Sequence, residues 1–91
     1  MAHALVLIKA ERDSLATLGG ALADVEGVSE AFSVTGEWDF VAIVRVARLE
    51  ELNEVVTSRI ARLGGIEDTY TMVAFEAYSQ HDLEAMFSIG E

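Results

Sequence analysis

The sequence has no cysteine and no proline, and only six Lys and Arg among its 91 residues. The absence of cysteine excludes disulfides, thiolate catalysis and cysteine-based zinc sites. Six cations against 16 Asp and Glu leave a formal charge of −10. That balance argues against a direct nucleic-acid partner, because holding a phosphate backbone takes clustered cations that displace counterions. The last basic residue is Arg62, and residues 64–91 carry six acids with no Lys or Arg. No apolar run approaches the roughly 18 residues of a membrane-spanning helix, and no basic-then-apolar leader precedes a small-residue cleavage site. The expectation is a cytoplasmic protein with no membrane partner.

Catalytic signatures are equally scarce. None of the serines sits in a G-x-S-x-G elbow or an S-x-x-K pair, and no glycine-rich loop ends in G-K-S/T. His3 and His81 have no neighbour at a recognised metal-ligand spacing, and both read as surface or packing residues. Glu50, Glu51, Glu54, Glu67 and Asp68 read as a solvated acidic face rather than a catalytic pair. The expectation is a protein that is not an enzyme and uses neither cofactor nor metal.

What remains is apolar. Hydrophobic residues make up 52% of a chain whose length suits one domain, taken as 1–91 with 80–91 a short, helical tail anchored by Leu83, Met86 and Phe87. Ala4–Ala10 is apolar on both parities, as a strand covered on both sides would be. Leu15, Leu18, Leu22 and Val25 then recur at helical spacing, with Asp13 or Ser14 to cap and Gly27 beyond the end. Gly19-Gly20 in the middle suggests close approach to a sheet or a partner. Val28–Thr35 and Trp38–Ala47 read as strands joined by a turn at Gly36-Glu37, the second again apolar on both faces. Leu49, Leu52, Val56, Ile60 and Leu63 mark a second helix that ends at Gly64-Gly65. Glu67–Tyr78 reads as a fourth strand, with Thr69, Thr71 and Val73 on one side and Tyr70, Met72 and Ala74 on the other.

The order β-α-β-β-α-β with right-handed crossovers predicts an α+β, ferredoxin-like fold: a four-stranded antiparallel sheet with two helices on one face. The first and third strands would be central, and both are apolar on two sides. Helices cover one face only, so the other is expected to meet a second copy, making a homodimer.

Gly36-Glu37-Trp38-Asp39 is the most specific local feature. Its plain reading is a turn with Trp38 in an edge pocket and Asp39 holding the turn. Its functional reading is a small-molecule site: glycine permits close approach, backbone groups receive a carboxylate, and Asp39 accepts from an ammonium. Thr69 and Thr71 would add hydroxyls, although threonine is favoured in strands anyway.

"EGVSEAFSVTGEWDFVAIVRV", the helix "LEELNEVVTSRIARLGGI" and "DTYTMVAF" together resemble the effector-binding (RAM) domain of the Lrp/AsnC transcription regulators. The likeness runs from Ala4 to about Tyr78 and is nearest to stand-alone members that lack the helix-turn-helix domain. It implies dimers formed through the sheets, assembly into octameric or related rings, and binding of an amino acid or similar metabolite between dimers. It assigns Gly36, Glu37, Trp38, Asp39, Thr69 and Thr71 to the effector site, and a full-length relative as a possible partner. Three departures stand out: Trp38 replaces a smaller aromatic, Gly64 replaces a proline, and Glu76 opens an ending without basic residues. An ACT-like binding module and a small cofactor-free enzyme using His3 or Arg45 are the alternatives.

Overall fold

The computed structural model describes residues 1–78; His81 and the expected helix over 80–91 lie outside them. Strands β1 (Ala2–Ala10), β2 (Val28–Ser33), β3 (Phe40–Val46) and β4 (Ile66–Ala74) form one antiparallel sheet in the order β2-β3-β1-β4. The two strands that are apolar on both parities are therefore the central ones. Helices α1 (Leu18–Ala23) and α2 (Leu49–Glu54) connect β1 to β2 and β3 to β4, and the ferredoxin-like topology follows.

Strand alternation sorts the residues onto two faces. Val6, Ile8, Ala42 and Val44 point toward the helices and are buried with Leu18, Leu22, Leu52 and Val55. No polar or charged side chain is buried among the described residues. The opposite, open face carries Leu5 and Leu7 of β1 beside Ile43 and Val41 of β3 in register, all half-buried by one another. Phe32, Tyr70 and Met72 extend this patch on the flanking strands and are exposed.

Three local departures from the sequence pattern have physical causes. A register shift between Val28 and Glu30 sets two residues of β2 against one of β3, so Val28 turns inward opposite Val44 while Phe32 stays on the open face. The first helix is shorter than its periodicity implies. Residues 12–14 form a 3₁₀ turn, and Ser14, Leu15 and Thr17 bond three residues back, which swings Leu15 out of the core to 46% exposure. Neither Asp13 nor Ser14 caps α1 through its side chain; Thr17 holds the cap position. The second helix turns π-helical over Val55–Ile60, and Leu49 at its start is 65% exposed.

The glycine pair in α1 divides its roles. A Cβ on Gly19 would sit 3.1 Å from the Phe40 ring, so this glycine lets the helix approach the sheet. Gly20 faces open space. Gly27, just before β2, has φ of +101°, and a Cβ there would come within 2.5 Å of the Val55 Cγ2.

Candidate functional site

The turn between β2 and β3 is held by three bonds, two of which tie it to the end of β1. The Asp39 N–H donates to the Ile8 carbonyl (2.9 Å), and the Val34 N–H donates to the Asp39 carbonyl (3.0 Å). The third is the Ala10 N–H, which donates to Asp39 Oδ2 at 2.8 Å. Asp39 thus closes the sheet where the β1–β3 ladder stops, and one carboxylate oxygen is committed to that task. Replacing Asp39 with alanine should cost about 1.5–3 kcal/mol, because the partly buried Ala10 N–H loses a charged acceptor. Asp39→Asn keeps an oxygen there and should recover most of it in urea unfolding. An ammonium ligand, by contrast, would be lost in both variants.

Gly36 adopts φ of +105°, and nothing lies within 4 Å of where its Cβ would be. The conformation, not crowding, requires glycine here, and it leaves the turn backbone open to a ligand. Glu37 is exposed beside it. Trp38 reaches across the end of the sheet to Tyr70, with ring centroids 6.4 Å apart and planes inclined by 36°. Tyr70 is opposite Leu7 and so belongs to the open face.

Thr69 and Thr71 pair with Ile8 and Val6, which places them on the helix-bearing face of β4. Both are exposed, because the helices lie over the other strands and leave β4 uncovered. Thr71 lines a groove of about 250 Å³ with Ala4, Leu52, Asn53, Val56 and Val73. The six sequence-selected residues therefore do not meet in one pocket of one subunit. Gly36–Asp39 and Thr69 flank the same end of β1, with Trp38 toward the open face and the threonines toward the other. Tyr70 was not among the six, although an aromatic next to a threonine on the same strand is the visible signal.

His3 lies on the open face opposite Arg45, away from the space between sheet and helices where a small enzyme would hold its base. That space is filled by apolar side chains. Among the described residues no three His, Asp or Glu converge as metal ligands would. Tyr78 donates to the Glu76 carboxylate (2.7 Å), which raises the pKa of its phenol because ionisation would set two anions together; both side chains are exposed, beyond β4.

Residues 3–83 match the family described as the Lrp/AsnC ligand binding domain. The chain belongs to that family. An HTH-type transcriptional regulator of Pyrococcus furiosus is 37% identical over 75 residues, covering 79% of this chain and 50% of its own. The leucine-responsive regulatory protein of Haemophilus influenzae is 28% identical over 76 residues, covering 84% and 46%. The Lrp/AsnC domain described here thus spans about half the length of these relatives. A crystal structure of a Thermus thermophilus protein superposes with a TM-score of 0.80 at 45% identity, covering 88% of this chain and all of that one. No helix among the described residues is long and apolar enough to cross a membrane.

Proposed function

We propose that this Lrp/AsnC domain binds an amino acid or similar small metabolite at a site completed between subunits. It acts in transcriptional regulation through assembly, as a homodimer built into a ring or in company with a full-length relative, and does not itself contact DNA or catalyse a reaction. The observation that carries this reading is the split site. The open Gly36 backbone and the free oxygen of Asp39 suit a zwitterion's carboxylate and ammonium, yet the Thr69 and Thr71 hydroxyls face another direction. A second subunit placed at the end of the sheet would supply the missing wall.

Two further observations support it. The open face presents Leu5, Leu7, Val41 and Ile43 on the central strands, an apolar surface suited to a matching sheet. The charge of −10 disfavours DNA contact by the domain alone. The relative from Haemophilus influenzae is named for its response to leucine, which makes the twenty amino acids the first panel to try.

Titration calorimetry against that panel, paired with native mass spectrometry, tests the proposal. We expect saturable binding of one or a few amino acids by an oligomer, with Asp39→Asn weakening it at least tenfold. A strictly monomeric chain that binds none of them would refute it.

A further inference from the structure

The two outer edges of the sheet are finished differently. β2 has six residues, a register shift between Val28 and Glu30, and the Glu30 charge within it. Shortness, bulges and charges are the devices that keep an edge strand from pairing with another chain. β4 has nine residues, and after Glu67 and Asp68 its run Thr69–Ala74 holds no charge, glycine or proline. Its register shift, opposite Lys9 and Ala10, lies at the acidic start and leaves that run regular. Among the described residues, β4 pairs only with β1, and no strand lies along its outer edge.

The bonds of β1 decide which backbone groups of β4 point outward. The Ile8 carbonyl accepts from the Asp39 N–H, and the Ala10 N–H donates to Asp39 Oδ2, so the even-numbered residues of β1 face β3. Strand residues alternate in direction, so His3, Leu5 and Leu7 face β4 and bond to Ala74, Met72 and Tyr70. Thr69, Thr71 and Val73 therefore turn their N–H and C=O groups away from the sheet. The Thr69 N–H is already met, donating to Asp68 Oδ1 at 2.9 Å. Thr71 and Val73 remain, both exposed and both inside the uncharged run. An antiparallel second copy with its two-fold axis at Met72 sets Thr71 of each copy opposite Val73 of the other. Each such pair exchanges two N–H···O bonds, which satisfies every outward group of both residues. The charges suit this direction. Antiparallel strands carry the two Glu67-Asp68 pairs to opposite ends, whereas a parallel pairing would set them side by side in a chain of formal charge −10. Asp68 falls level with Glu76 of the second copy, beyond the end of β4 at Ala74 and outside the bonded pairs.

We infer that a second copy of this chain adds its β4 to β4, antiparallel and centred on Met72, joining two sheets edge to edge. The contact is separate from the open face and links one homodimer to the next. A ladder this short holds two single subunits only weakly. It becomes effective where each homodimer carries two such edges and the linked contacts reinforce one another. The inference thus rests on the homodimer proposed above, and it supplies the second contact surface that assembly beyond a dimer requires.

The absence of cysteine makes a disulfide test direct. The Thr71→Cys and Val73→Cys proteins, one of them ¹⁵N-enriched, are refolded together and mildly oxidised. Opposed residues of a bonded antiparallel pair have Cα atoms about 5.5 Å apart, inside the disulfide range. Both positions lie on the helix-bearing face, so contact through the open face cannot link them. By mass, the mixed covalent dimer should exceed either homodimer by about fivefold or more. Val73→Pro removes an outward N–H and leaves the β1 ladder intact, so native mass spectrometry should show its assembly stopping at the dimer. The inference is overturned by the lack of a mixed-dimer excess, by an excess of the Thr71→Cys homodimer, or by a Val73→Pro protein that still assembles beyond the dimer. An unsubstituted chain that stops at the dimer would overturn it as well. An unsubstituted monomer would remove the homodimer itself, and this inference with it.

Discussion

Gly27→Ala is expected to destabilise the domain by about 2–6 kcal/mol. Two costs act together at this position. A φ of +101° is a backbone conformation that L side chains rarely adopt, and forcing one there costs on the order of 1–3 kcal/mol. The new methyl would also come within 2.5 Å of Val55 Cγ2, and Val55 is fully buried and cannot swing into solvent. Overfilling a packed site adds roughly 1–3 kcal/mol. The total is a large part of the roughly 5–15 kcal/mol that a domain of this kind has available. Gly36→Ala is the control. It shares the positive φ but meets no atom within 4 Å, so only the backbone cost of about 1–2 kcal/mol applies. Urea unfolding of the two variants should separate by at least about 1 kcal/mol, the smaller of the overfilling costs, and equal losses would show that the Val55 contact is relieved by a backbone shift.

The same glycine marks where the sequence pattern stops being readable. Alternation along Ala4–Ala10 and Phe40–Val46 was enough to identify the central strands, since both faces of each are apolar and only the middle of a sheet has that need. Val28 could not be placed that way. Its parity matches Phe32 on the open face, and only the register shift that follows Gly27 sends it inward opposite Val44. Leu15 and Leu49 misled for a related reason. Both fit a 3.6-residue stripe, but the chain around Leu15 bonds at i−3, which has a different angular step. Leu49 sits at the first residue of α2 and overhangs β4, which no described element covers.

The candidate site was legible in part. Glycine followed by an aromatic and an aspartate locates the turn, and the structure adds that Asp39 holds it by way of Ala10. The face of each group was not legible. Thr71 and Tyr70 are adjacent in sequence and diverge to opposite sides of β4, and Trp38 joins Tyr70 rather than the threonines. The Trp38 ring has a consequence here: it spans from the turn to the edge strand. That contact ties the turn geometry to the open face, so a partner pressing on Tyr70 would bear on the turn as well.

Leu7→Glu is expected to abolish self-association while leaving a folded subunit. Leu7 is the centre of the open face, flanked in register by Val41 on one side and Tyr70 on the other. In the isolated subunit it is only half-buried, so a glutamate there remains solvated and the helix-side core is untouched. In a two-fold assembly built on this face each substitution enters twice, bringing two carboxylates into a desolvated apolar surface. The dimer dissociation constant should rise at least 100-fold, about 2.7 kcal/mol. Sedimentation velocity would read the change in mass, and circular dichroism would show the fold retained. If the ligand site is completed between subunits, calorimetric binding should vanish together with the dimer. Persistence of binding in a monomeric Leu7→Glu protein would instead place the whole site around the Gly36 turn of one chain. Dimers that survive the substitution would show that subunits meet elsewhere, with the free edges of β2 and β4 the remaining surfaces for strand pairing.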